Sequence, residues 1–166
     1  MVNDILTIDS KKEEKFLRKK TADFDFKKFT KKEVADLVNR MRRIMHKANG
    51  VGLSANQIGL DLKMFVAEVP DADGGTKFYA IFNPKFEKLG EKAVTNEEGC
   101  LSVIGTWGDV PRAEQVVLSG FDKNGKKLKI KAWGLLARVF QHEMDHLHGK
   151  LFIDRAKQIY RADKKA

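Results

Sequence analysis

Hydrophobic residues recur with helical spacing in two stretches of the chain. The first stretch follows a capping box, Thr30-Lys31-Lys32-Glu33, and ends at Asn49-Gly50, a pair that readily adopts the left-handed conformation of a helix end. Its apolar positions are Val34, Leu37, Val38, Met41, Ile44 and Met45. The second stretch, residues 135–148, carries apolar side chains around most of its circumference. The pattern therefore predicts a core-packing helix and a second helix that is largely enclosed.

Between the two helices, short runs rich in β-branched and aromatic residues predict strands. They cover residues 62–69, 78–83, 115–121 and 127–133. The last two runs flank Asp122-Lys123-Asn124-Gly125, in which the Asn-Gly step suits a tight hairpin turn between antiparallel strands. Because no repeat, linker or break in composition divides the chain, we expect residues 1–166 to form a single domain.

The chain has 166 residues, of which 42% are hydrophobic and 33% are charged. This composition is typical of ordinary soluble proteins. No stretch approaches the ~20 consecutive apolar residues that a membrane span requires. The start, Met1-Val2-Asn3-Asp4, lacks a basic segment followed by an apolar one. The single cysteine, Cys100, excludes an internal disulfide and fits a reducing compartment. We therefore expect a cytoplasmic protein without a membrane partner.

The net charge of +9 favours an anionic neighbour, but the lysines that produce it are dispersed along the chain. Of the two richest segments, residues 123–131 carry no aromatic residue and residues 11–20 carry one, Phe16, so neither has the interleaved aromatic residues on which successive bases would stack. These segments are interpreted as solvated faces. We expect a monomer with no specific nucleic-acid partner.

A candidate metal site lies on the second helix, in the run His-Glu-Met-Asp-His. Residues four apart share a helix face, so His142 and His146 can bind one divalent metal with Glu143 beside it. The alternative is a pair of solvated histidines on an exposed turn. Enclosure of the helix favours the metal, because buried imidazoles without partners are costly. Three residues that precede His142 on the same face should wall the site: Leu135, Arg138 and Val139.

Catalytic metal sites usually contain a third protein ligand and keep one position open. Cys100 is the candidate, and Gly99 before it permits close backbone approach. A lone cysteine is also common as a small buried apolar residue, and that alternative remains open here.

The segment of residues 50–57 is rich in glycine and ends in an amide side chain, Gln57. Its glycines permit an extended peptide to approach the backbone at Gly50, Val51 and Gly52, and Gln57 can donate to a developing oxyanion. The alternative is a plain helix-to-strand connection. A phosphate cradle is disfavoured because no lysine follows the glycines.

Together these segments resemble the peptide deformylase family over nearly the whole chain. The family carries a glycine-rich segment ending in glutamine, then Glu-Gly-Cys-Leu-Ser, then His-Glu-x-x-His, matched here by residues 50–57, 98–102 and 142–146. The resemblance implies a metal-dependent hydrolase that removes the formyl group from the N-terminal formylmethionine of nascent polypeptides. It also implies an α+β fold in which antiparallel β-sheets surround a central helix that carries the HExxH motif.

The resemblance also implies roles for individual residues. One divalent ion, Fe(II) in the working enzyme with Zn(II) or Ni(II) in purified protein, is implied to bind three ligands: Cys100, His142 and His146. Glu143 is implied to be the acid/base, and Gln57 with the backbone N–H of Leu101 to stabilise the oxyanion. Glu98 and Arg112 match positions that hold the cysteine loop, with a surface ion pair as the alternative.

The chain departs from the family at several positions. Ser54 and Asn56 replace the usual alanine and, often, proline, and both changes are expected to leave Gln57 in place. Trp107 stands where bacterial members often have an arginine near the peptide backbone, so substrate binding there is expected to use stacking or apolar contact.

Arg138 occupies a position that the family generally gives to an aliphatic residue. Three roles are open to it: reaching the pocket mouth, pairing with an acid such as Glu97, or narrowing the methionine pocket. We expect both Arg138 and Glu97 to lie at the substrate site and Arg138 to alter side-chain preference. After Arg155 only residues 156–166 remain, so any transient ribosome contact is expected to be weak or to use the basic surface.

Two rival functions remain. A metallopeptidase uses the same HExxH helix, but Cys100 and the segment of residues 50–57 argue against it. A catalytically silent, ribosome-associated metal-binding module would fill its site with four protein ligands, whereas three are evident here and Glu143 is intact.

Overall fold

In the computed structural model, residues 4–161 are described. Residues 1–3 and 162–166 lie outside that range. The predictions for the start at Met1–Asp4, for the segment after Arg155 and for a single domain of residues 1–166 therefore fall partly outside the described residues. Within residues 4–161 the helices are α1 Lys11–Leu17, α2 Lys31–Lys47 and α3 Gly134–Leu147. The strands are β1 Gly52–Ser54, β2 Met64–Pro70, β3 Thr76–Leu89, β4 Ala93–Cys100, β5 Val103–Ala113, β6 Gln115–Phe121, β7 Lys127–Trp133 and β8 Gln158–Arg161.

The predicted start of α2 is confirmed. Thr30 accepts a hydrogen bond from the backbone of Glu33, and the Glu33 side chain accepts one from the backbone of Thr30. The predicted apolar face packs into a core cluster that also contains strand residues such as Leu53 and Met64. Through this cluster α2 supports β1, the strand that carries one wall of the site.

The strands form two antiparallel sheets. One has five strands in the order β1-β2-β3-β6-β7, and the other has three in the order β4-β5-β8. The predicted hairpin of β6 and β7 is confirmed, with Phe121 opposite Lys127 and Gly125 at a φ of 74° in the turn. The strands of the second sheet were not located from the residue pattern, because half of the residues of β4 (sequence AVTNEEGC) are exposed and the strand lacks a hydrophobic alternation.

Helix α3 lies against strands of both sheets. One of its faces packs into a core cluster through Phe140 and Leu147, against strand residues that include Phe65 and Leu118. The expected α+β class with antiparallel sheets is confirmed, and α3 is largely enclosed as predicted. From residue 4 to residue 161, no helix is long and apolar enough to cross a membrane.

Candidate active site

The three predicted ligands meet where the end of β4 faces α3. Cys100 Sγ lies 3.2 Å from His146 Nε2, which lies 3.2 Å from His142 Nε2. One ligand atom from each residue falls within 4.8 Å of the other two. A thiolate and two imidazoles that converge in this way fit a borderline-soft divalent metal such as zinc or ferrous iron. The donor set therefore fits the metal that the sequence predicted.

A buried carboxylate orients one of these imidazoles. His142 Nδ1 donates to Glu98 Oε2 at 3.0 Å, which leaves Nε2 directed at the other ligands. Glu98 also accepts two hydrogen bonds from Arg112, both of 2.9 Å, and Arg112 in turn pairs with Asp145. Glu98 is 6% exposed and Arg112 is 4% exposed, so the two residues form a buried ion pair and not a surface ion pair.

The environment moves the pKa of two carboxyl groups in opposite directions. Burial alone would raise the pKa of Glu98, but the hydrogen bonds and charges of Arg112 and His142 outweigh it and hold the pKa well below its ordinary value. Burial raises the pKa of Glu143, and His142 and Ser54 oppose that rise only in part. Glu98 therefore stays ionised, and Glu143 is the carboxyl group better suited to accept and return a proton.

The carboxylate of Glu143 is held between β1 and α3. Ser54 Oγ donates to Glu143 Oε2 at 2.6 Å and lies 3.1 Å from the backbone oxygen of the same residue. Glu143 Oε1 lies against Gly52, where an added Cβ would come within 2.3 Å of it. Only glycine leaves room for the carboxylate at this point, so the local sequence of β1 fixes the position of both oxygens.

The amide of Gln57 has a defined orientation. Its Oε1 accepts a hydrogen bond from Ser54 N at 2.9 Å, and its Nε2 donates to Ser102 Oγ at 3.1 Å. The same Nε2 lies 3.8 Å from Cys100 Sγ. The amide N–H groups therefore point towards the ligand cluster, where they can donate to an oxygen that gains negative charge.

The predicted site residues share one cleft of about 420 Å³. It is lined by the predicted substrate residues Gly50, Val51, Gly52, Glu97, Gly99, Trp107, Leu135, Arg138 and Val139. Gln57, Cys100, Leu101, His142 and Glu143 also line it. His146 is the exception, since it lies beneath the cleft and is 1% exposed.

Of the three roles left open for Arg138, the structure shows pairing with an acid and not extension to the pocket mouth. Arg138 is 9% exposed, and its Nη1 donates to Glu98 Oε1 at 2.7 Å and to the Val110 carbonyl at 2.9 Å. Its Nη2 donates to the Val94 carbonyl at 2.6 Å. The acid that it pairs with is Glu98 and not the suggested Glu97. The guanidinium turns inward because these acceptors lie between α3 and the second sheet.

One aromatic residue of the second sheet, Trp107, lines the cleft. The Trp107 ring lies over Gly99, where an added Cβ would meet it at 3.0 Å. Tyr160 on β8 donates its hydroxyl to Glu97, which raises the pKa of Tyr160 to about 12. Trp107 is 39% exposed, so part of its ring forms an apolar surface at the cleft.

The sequence did not predict the hydrogen bonds that three polar residues make in the site. Ser54 donates a hydrogen bond to the Glu143 carboxylate, and Ser102 accepts one from the Gln57 amide. Asn56 donates to the His146 carbonyl at 2.6 Å. The sequence predicts only that Ser54 and Asn56 leave Gln57 in place, yet both side chains also donate hydrogen bonds to α3. The available signal was that Ser54 and Asn56 are polar residues in a segment that, apart from Gln57, otherwise contains only glycine and apolar residues.

Comparison with known proteins agrees with this geometry. A family model described as polypeptide deformylase matches residues 2–162. The peptide deformylase of Halothermothrix orenii is 41% identical over 128 residues, which cover 77% of this chain and 80% of that protein. Peptide deformylase 1 of Corynebacterium efficiens is 43% identical over 122 residues, 74% of this chain and 72% of that protein.

Solved structures show the same likeness. A probable peptide deformylase from Synechococcus phage S-SSM7 matches with a TM-score of 0.81 and 36% identity, over 91% of this chain and 97% of that one. The peptide deformylase of Synechococcus elongatus in complex with actinonin matches with a TM-score of 0.81 and 33% identity, over 93% of this chain and 79% of that one.

Proposed function

The chain belongs to the polypeptide deformylase family, and we propose that the residues of its cleft carry out the reaction of that family. It is a metal-dependent hydrolase that removes the N-terminal formyl group from formylmethionine of nascent polypeptides. The relatives described above are deformylases, so neither a metallopeptidase nor a catalytically silent metal-binding module is favoured.

One observation supports this assignment of roles more than any other. Cys100, His142 and His146 present their ligand atoms together, while Glu143 and Gln57 face the same cleft. A divalent cation bound by the three ligands supplies Lewis acidity, which acidifies water and polarises a carbonyl group. Fe(II) is the proposed native ion, with Zn(II) or Ni(II) as replacements acquired during purification, because a thiolate and imidazoles suit all of these metals.

Glu143 moves the proton in the proposed mechanism. Its Oε1 takes a proton from the water whose oxygen attacks the formyl carbon, while Ser54 holds Oε2. Gln57 Nε2 and the N–H of Leu101 donate to the carbonyl oxygen as it becomes an oxyanion. Glu143 then returns the proton to the amine nitrogen as the carbon–nitrogen bond breaks, and formate and the free N-terminus leave.

The remaining lining residues bind the substrate in this proposal. Gly50, Val51, Gly52 and Gly99 offer backbone to an extended peptide, because small residues permit close approach. Apolar contact comes from Trp107, Leu135 and Val139, and Glu97 and Arg138 complete the wall of the cleft.

Further proposals concern the setting in which the enzyme works. We propose a monomer in which residues 1–166 form one catalytic domain located in the cytoplasm. Its partner is the formylated nascent polypeptide, with a transient ribosome contact favoured by the net charge of +9.

Removing the Gln57 amide tests the proposed oxyanion stabilisation. We expect Gln57→Ala to lower kcat by about 10²–10³-fold, the usual effect of losing one such donor, with little change in metal content. Formate release from a formyl-Met peptide measures the effect, and release of the free N-terminal amine from the matching acetyl-Met peptide shows whether hydrolysis is specific for the formyl group. A Gln57→Ala variant with wild-type kcat would remove Gln57 from the mechanism.

Arg138→Ile tests the proposed influence of Arg138 on side-chain preference. The guanidinium donates to Glu98 and to two backbone carbonyl groups, and Arg138 also lines the cleft. Isoleucine removes these contacts and leaves a shorter side chain in the cleft wall, so we expect kcat/KM for formyl-Phe peptides to rise about tenfold relative to formyl-Met peptides. Arg138→Lys, which keeps the charge and most of the volume, serves as the control. If Arg138→Ile leaves the ratio unchanged, Arg138 only braces Glu98 and the two carbonyl groups.

A further inference from the structure

One face of the five-stranded sheet packs against α2 at β1 and β2, and at β3 and β7 the same face carries exposed lysines that do not line the cleft. Strand alternation places Lys127, Lys129 and Lys131 on one face of β7, while the residues between them pack towards the core. The register across β6 brings Lys85 and Lys88 of β3 onto the same face, because paired residues point the same way. All five side chains belong to exposed residues.

This lysine face, defined by Lys85, Lys88, Lys127, Lys129 and Lys131, has a strong positive charge. Glu87 lies among them, and its carboxylate accepts a hydrogen bond from Ser119 Oγ at 2.6 Å. That bond, with weaker contributions from Lys85 and Lys129, lowers the pKa of Glu87. Five cations beside one carboxylate favour an anionic partner.

An exposed aromatic residue continues the row of lysines. Trp133 follows Lys131 by two residues on the same strand, so it points to the same face, and it is 70% exposed. Lysines on an edge strand such as β7 also discourage pairing with other sheets. That role does not explain Lys85 and Lys88, which lie on an interior strand, or a large apolar ring left in solvent.

We propose that the lysine face and Trp133 form a binding site for single-stranded nucleic acid. The lysines contact successive phosphates, and the Trp133 ring stacks on a base, the combination by which such strands are bound without sequence preference. A membrane surface would instead require several apolar side chains alongside the cations. Because Leu135 lines the cleft two residues after Trp133, a bound strand would lie beside the entrance used by the peptide.

The site is tested by titrating a fluorescein-labelled polyuridylate of about 20 nucleotides and following its anisotropy over a series of salt concentrations. Wild-type protein should bind with a Kd on the order of 10⁻⁵ M, and log K should fall linearly with log salt concentration. The triple variant Lys127→Ala, Lys129→Ala, Lys131→Ala should bind more weakly, with a salt slope smaller by about 2, because each phosphate contact contributes about 0.7. Trp133→Ala should weaken binding about tenfold with an unchanged slope.

A second triple variant on α1 provides the control. Lys11→Ala, Lys12→Ala, Lys15→Ala removes the same charge from exposed residues of a helix that also carries Glu13 and Glu14, and it should keep the wild-type slope. Equal weakening by both triple variants, wild-type affinity in Trp133→Ala, or binding to phosphatidylserine vesicles without binding to polyuridylate would each overturn the proposal. Formate release from a short formyl peptide should be unchanged in every variant, which shows that each is folded.

Discussion

Replacing Glu143 with alanine is expected to lower kcat for deformylation by about 10²–10⁴-fold while the metal content stays at the wild-type level. The carboxylate is 3% exposed and lines the cleft, but it is not one of the three groups that meet at the metal position. Its loss therefore removes proton transfer and leaves the ligand set intact. Metal analysis and formate release on the same preparation measure both effects, and wild-type turnover in this variant would refute the assigned role.

The contact between Ser54 and Glu143 extends this prediction. Ser54→Ala keeps the carboxylate but removes the donor to its Oε2, a hydrogen bond to a charged group worth about 1.5–3 kcal/mol. We expect an intermediate loss of kcat, about tenfold, at an unchanged KM, and no additional loss when Glu143 is already alanine. Thr21→Val is the matched control, since Thr21 donates a buried hydroxyl to the Leu147 carbonyl of the same helix and not to the carboxylate. It should keep the wild-type kcat.

Replacing a ligand is expected to abolish activity by a different route, through loss of the metal. In Cys100→Ala and His142→Ala only two ligands remain. Loss of a residue that merely orients a ligand lowers metal affinity by ~10–100-fold, so loss of the ligand itself should lower metal affinity by more than that. Both variants should regain little turnover when excess metal is supplied. Metal content after dialysis, measured beside formate release, separates this result from the Glu143→Ala result.

His148 supplies the control for the ligand variants. It lies two residues after His146, and its Nδ1 contacts the Met144 carbonyl at 2.8 Å. His148→Ala should keep the metal and the activity. A Cys100→Ala protein that retains a full complement of metal would show that the thiolate is not a ligand.

The helices and the hairpin were predictable because their signals are local. The capping box at Thr30, the helical periodicity before Asn49 and the Asn-Gly turn each specify a conformation within a few residues. The second sheet was not predictable in this way, because β4 and β5 are stabilised by their pairing with each other and with β8. A strand such as β4, with half of its residues exposed and no hydrophobic alternation, has no periodicity that identifies it.

The site shows the same division between local and long-range signals. Recognisable motifs identified Cys100, His142 and His146, and the structure brings them together. The positions of Arg138 and Ser54 depended on acceptors between 40 and 89 residues away in sequence, at Glu98 and Glu143. Their contacts follow from the way that α3 packs against β1 and the second sheet, and no short segment of sequence contains that information.

The most direct test of the central claim is a metal titration of apo-protein prepared without oxygen, with formate release from a formyl-Met peptide as the readout. The account predicts that deformylation rises in proportion to added Fe(II), stops rising at about one equivalent per chain, and leaves the peptide bonds intact. Formate release at the full rate without metal, or cleavage of internal peptide bonds in place of formate release, would contradict it.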